Sequence, residues 1–148
     1  MTEPVYRVVV VAGLIRGAAG TAEAERFLIS QRPAGVHLAA AWELPGGKVE
    51  VGEAPEAALR RELREELAID VEVGQVYAVG QHVYAEGAGA AAKDVILLIY
   101  EARLVGGAPE AREVAAFRWV EARELLAVPL PPADAPALAR LRRELACS

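Results

Sequence analysis

Three glutamates in one short stretch could do chemistry together. Glu62, Glu65 and Glu66 stand at positions i, i+3 and i+4, shortly after the pair Gly46-Gly47, in the run LPGGKVEVGEAPEAALRRELREELAID. On a helix this spacing puts the first carboxylate beside the other two. Like charges so placed repel, and a hard cation such as Mg2+ or Mn2+ would turn that repulsion into coordination by oxygen ligands. Metals of this kind commonly serve phosphate chemistry. The competing reading is a solvated helix whose glutamates are balanced by Arg60, Arg61 and Arg64.

The neighbouring residues show how such a helix would be held. Gly46-Gly47 marks a tight turn or a close backbone approach, and Gly52 marks a second loop position. Pro55 suits a first helical turn, where its missing N–H costs nothing. From Glu56 onward strong helix formers dominate, and Leu59, Leu63 and Leu67 recur every four positions as one apolar stripe that must face a core. Before this stretch, the valine-dense residues 6–15 predict a central strand, and 26–32 predict its neighbour. A loop over 33–41 follows, and Trp42 to Leu44 lead into the glycine turn. After the helix, two strands are expected at 71–84 and 94–104, joined by the surface loop EGAGAAAK. A turn at 106–109, a strand at 116–120, a short helix at 121–126 and a last helix at 135–146 complete the pattern, the last with Leu138, Leu141 and Leu145 on one face. The fold class is α/β: a mixed sheet covered on both faces.

At 148 residues and 54% hydrophobic content the chain fits one domain over 1–148 with a sizeable core. A net charge of -5 argues against a nucleic-acid polymer as partner, because phosphate neutralisation drives that binding, but leaves room for a small polyanion carried with a metal ion. The single Cys147 has no intrachain partner, so nothing points to an oxidising compartment. The apolar run from Val8 to Ile15 is too short to span a membrane, and a cytoplasmic location is expected. No pattern sets an oligomeric state.

The central stretch resembles the motif of the Nudix hydrolases, G-x5-E-x7-R-E-U-x-E-E-x-G-U with U apolar. Gly47, Glu53, Arg61, Glu62, Leu63, Glu65, Glu66 and Ile69 fall on it. Ala68 departs, standing where the motif has glycine; a left-handed backbone there would cost alanine about 1 kcal/mol. Outside the motif, QRPAGVHLAAAWELPGGK and PLPPADAP resemble the MutT-type nucleoside triphosphate pyrophosphohydrolases, including the CTP pyrophosphohydrolases.

The resemblance implies an α/β/α sandwich around a mixed sheet, and Mg2+ or Mn2+ held by Glu62, Glu65 and Glu66 with Gly47 and Glu113 as further contacts. It implies hydrolysis of a nucleoside triphosphate to the monophosphate and pyrophosphate, with water activated by Glu62, Glu113 or Glu53. Glu53 would be either a ligand or a partner of Arg61 that braces the helix start. Arg32 and Lys48 would hold the phosphates, Leu44 and His37 would line the base pocket, and Asp134 would read the base. Asp134 also stands where an N-cap of the last helix belongs, and the two roles are compatible. The implied role is removal of oxidised or modified nucleotides such as 8-oxo-dGTP. The alternatives are a CTP or dCTP pyrophosphohydrolase, the same metal site acting on another diphosphate such as a nucleotide sugar or dinucleotide, which PLPPADAP disfavours, and a nucleotide-binding module without turnover.

Overall fold

The leucine stripe of the central helix decides where the sheet must lie. In the computed structural model, which describes residues 4–36, 40–85 and 91–148, this helix, α1, spans Pro55–Leu67 with Pro55 in its first turn. Leu59, Leu63 and Leu67 are fully buried. They pack onto a sheet made of β1 (Val5–Arg16), β2 (Phe27–Gln31), β3 (Trp42–Glu43), β4 (Gly46–Lys48), β5 (Asp70–Tyr84), β6 (Ala92–Gly106) and β7 (Ala116–Val120).

The sheet order is β3-β2-β1-β6-β5, with β4 on β1 and β7 on β2. β1 and β6 run parallel from Val5↔Ala92 to Arg16↔Arg103; every other pair is antiparallel. One edge of β1 serves two partners in turn: β4 pairs at Val10, Val11 and Ala12, and β2 pairs at Arg16. A strand edge offers each N–H and C=O once, so β2 must leave β1 where β4 takes over. The expected glycine turn is therefore a short strand. Gly46 and Gly47 are there for close approach, since a Cβ on Gly46 would collide with the Val11 carbonyl.

α2 (Ala122–Ala127), a 3-10 turn (Pro132–Asp134) and α3 (Ala135–Ala146) cover the other face. Leu125, Ala133, Ala137 and Leu141 bury there against Phe27, Ile29, Leu97 and Ile99. The result is a mixed sheet between helical layers. Among the described residues no helix is long and apolar enough to cross a membrane.

Ala68, the departure from the motif, caps α1 in the left-handed region at φ 58, ψ 33, with its N–H on the Arg64 carbonyl at 3.1 Å. Ala68→Gly is expected to stabilise the fold by roughly 0.5–1 kcal/mol, the relief of strain exceeding the entropy that glycine adds to the unfolded chain. Chemical denaturation of the two proteins measures it. No carboxylate contact involves Ala68, so turnover should not change.

Candidate active site

Arg61 organises the start of the acidic face. Its Nε and Nη2 donate to the two oxygens of Glu53 at 2.8 and 2.9 Å, and Nη1 donates to Glu62 at 2.8 Å and to Glu65 at 3.4 Å. Nη2 also reaches the Lys48 carbonyl at 3.1 Å, tying α1 to β4. The Arg61 hydrogen bonds, with the Glu50 N–H, hold the Glu53 carboxyl down at about 2. Glu62 lies against β4 so closely that a Cβ on Gly47 would fall within its carboxylate. Burial pushes the Glu62 carboxyl up, and the Arg61 contact opposes it.

Glu66 is the least compensated acid. Its Oε2 is buried and accepts no hydrogen bond. Burial, then the charges of Glu62, Glu43 and Glu113, push its carboxyl up to about 8. Its backbone carbonyl accepts from the N–H groups of Arg112 and Glu113 at 3.0 and 3.3 Å, which brings the Glu113 loop to the end of α1. Among the described residues no three acid, histidine or cysteine side chains stand together as a ready ligand set; Arg61 engages Glu62 and Glu65. The donors nevertheless suit a hard divalent cation. An orphaned buried carboxylate oxygen is costly unless a charge partner reaches it, and the Gly47 backbone leaves Glu62 beside it.

These acids open onto a cavity of about 490 Å³. Glu62, Glu66, Arg32, Lys48, Leu44 and Asp134 all line it. Its apolar floor comes from Val8 and Val10 of β1 and Val95 and Leu97 of β6, two alternating rows that the parallel register sets side by side. Arg32 Nη1 meets both oxygens of Glu43, at 3.2 and 3.4 Å. Leu44 is buried. Glu53, Glu65, Arg61 and Glu113 lie outside the cavity lining, while His37 falls outside the described residues. Trp119 packs against the core under α1.

Asp134 corrects an expectation. It stands at the start of α3 but makes no capping hydrogen bond; it is 3% exposed and points into the cavity. Its carboxyl is pushed up to about 7 by burial and then by Glu43. The 3-10 turn that carries it lies tight on β5, because Gly80 has no Cβ to strike the Ala133 carbonyl and the Tyr84 hydroxyl accepts the Ala133 N–H at 3.1 Å. A carboxyl raised in the folded state favours folding while it is protonated. That contribution is whole below the ordinary value near 3.8 and is lost as pH rises through about 7. Asp134→Asn should therefore lose less stability than wild type between about pH 4 and pH 7. Melting curves of both proteins across that range test it; parallel curves would contradict it.

Sequence reasoning missed Glu43, Tyr84 and the apolar floor. Glu43 had one signal, a charge between Trp42 and Leu44 in a short extended segment. The floor had only its two-residue alternation, which does not tell which face holds a cleft.

Residues 6–141 match the NUDIX domain family, and the chain belongs to that family as a Nudix hydrolase. Its relatives include a CTP pyrophosphohydrolase of Escherichia coli, 40% identical over 113 residues, which covers 76% of this chain and 79% of that one. An 8-oxo-dGTP diphosphatase of Haemophilus influenzae is 36% identical over 135 residues, 91% of each chain. The crystal structure of a MutT protein from Methanosarcina mazei superposes with a TM-score of 0.76 at 26% identity, covering 98% of both chains.

Proposed function

We propose that the protein hydrolyses nucleoside or deoxynucleoside triphosphates to the monophosphate and pyrophosphate, and that it acts on oxidised or modified nucleotides such as 8-oxo-dGTP in the cytoplasmic pool. The observation that carries this reading is the shared cavity: acids suited to a metal, the cations Arg32, Lys48 and Lys93, and an apolar floor with the buried Asp134 beside it face the same space. The similarity to an 8-oxo-dGTP diphosphatase over most of both chains supports the substrate class.

Glu62, Glu65 and Glu66, with the Gly47 carbonyl and Glu113, would hold Mg2+ or Mn2+. Such an ion, when bound, screens phosphate charge and lowers the pKa of water. Arg32 and Lys48 would orient the phosphate chain, Arg32 through a planar fork of donors that matches phosphate oxygens. Leu44 and the floor valines would exclude water from the base, and Asp134 would exchange hydrogen bonds with its edge. Glu53 is a poor base, because Arg61 engages both of its oxygens and stabilises its charge. Glu62 faces the cavity and gives Arg61 only one of its oxygens, so it is the first candidate to take a proton from water wherever its second oxygen is not spent on the metal. Glu113 is the second candidate.

A second reading, a CTP or dCTP pyrophosphohydrolase, draws on the E. coli relative and on Asp134, whose carboxylate can accept from cytosine N4–H2. The deciding experiment is pyrophosphate release with Mg2+ from 8-oxo-dGTP, dGTP, CTP, dCTP and 5-methyl-dCTP, ranked by kcat/KM. A lead for 8-oxo-dGTP is the expected result. A lead for the cytosine nucleotides would favour the second reading, and no release from any of them would leave a binding module.

A further inference from the structure

Glu43 lies outside the motif that points to α1, yet it shares the cavity with Glu62 and Glu66. Its backbone is fixed on β3 by pairing with Ser30 of β2, so its side chain starts from a rigid base. That side chain is 19% exposed and meets Arg32, 30% exposed, through one guanidinium nitrogen and both carboxylate oxygens. Burial disfavours charge on Glu43, and Arg32 is what counters it. An arginine just past the end of a strand has several rotatable bonds and loses entropy when ordered. Its donors sit in one rigid plane, however, so fixing one nitrogen restricts where the others point.

We propose that Glu43 is a positioning residue: its carboxylate aims the Arg32 guanidinium at the phosphate chain of a nucleoside triphosphate in the cavity, and so governs phosphate binding without reading the base. This rests on the triphosphate reading given above. The pre-ordered arm meets the phosphates without a further ordering cost, which is how preorganisation raises affinity. Because the effect acts on the phosphates, it is the same for every base.

Inorganic tripolyphosphate, which has neither base nor sugar, isolates this role. Its affinity with Mg2+ is measured by calorimetry for wild type, Glu43→Gln, Glu43→Asp, Arg32→Ala and the Arg32→Ala/Glu43→Gln double variant, with melting temperatures as the folding control. The expected result is a roughly tenfold weaker affinity for Glu43→Gln, a smaller loss for Glu43→Asp, and no further loss when Glu43→Gln is added to Arg32→Ala. KM should rise by the same factor for each nucleotide of the panel, with kcat little changed. Wild-type tripolyphosphate affinity in Glu43→Gln, or a change in base ranking that survives in the Arg32→Ala background, would overturn the proposal and make Glu43 a base contact. Failure of the unsubstituted protein to bind tripolyphosphate or turn over any triphosphate would overturn the triphosphate reading and this inference with it. That outcome is told apart because it needs no substitution.

Discussion

Glu66→Gln is expected to lower metal-dependent turnover on the order of a thousandfold, while the protein without added divalent ion melts no lower than wild type. The two effects have one origin. Glu66 Oε2 is buried with no hydrogen-bond partner, and the carboxylates of Glu62, Glu43 and Glu113 press on it. Glutamine keeps the shape without an ionisable group, so it escapes the cost of holding a carboxyl neutral, or charged and unpaired, in this buried place. A cation held by this group stabilises only the folded chain, so Mg2+ should raise the melting temperature of wild type and raise that of Glu66→Gln much less. Pyrophosphate release and melting curves with and without Mg2+ measure both. Turnover near the wild-type rate would place the metal site elsewhere.

Gly47→Ala should reduce the rate by roughly a hundredfold and change stability by less than about 1 kcal/mol. The Cβ would fall within the Glu62 carboxylate, the mobile end of a side chain that can swing aside. In swinging, it leaves its 2.8 Å contact with Arg61 and its place on the cavity wall. Gly46→Ala, one residue earlier, should behave oppositely. Its Cβ would strike the Val11 carbonyl, part of a strand that cannot yield without losing the β1–β4 pairing. The expected cost is about 1–3 kcal/mol of stability. Rates and denaturation midpoints of the two variants, taken together, separate a constraint on the site from a constraint on the fold. Equal stability losses would show that Gly47 is needed for the sheet as well.

The contrast between these glycines also marks where sequence reasoning stopped. A glycine pair reads as a turn or as a close approach, and the strand that approaches lies far away along the chain. Asp134 shows the same limit. Aspartate before a helix satisfies the local rule for an N-cap, but the sheet beneath the 3-10 turn draws the carboxyl into the cavity instead. Helix α1 was legible throughout. Pro55 opens it, the leucine stripe is buried, and Ala68 takes the left-handed conformation that the motif's glycine would suit. The strands at 71–84 and 94–104 also appear close to their expected bounds, as Asp70–Tyr84 and Ala92–Gly106.

The sequence by itself determined the family, the helix, and the spacing that sets Glu62 beside Glu65 and Glu66, because helical periodicity turns positions along the chain directly into neighbours in space. Only the tertiary structure decided that Arg61 holds Glu53, Glu62 and Glu65 together while Glu66 stays unpaired. It also decided that Val8 and Val10 share a floor with Val95 and Leu97, and that Glu43 faces Arg32 inside the cavity. Those neighbours are made by strand pairing between distant segments. The pattern of a single strand tells which residues share a face, and carries no record of what that face will meet.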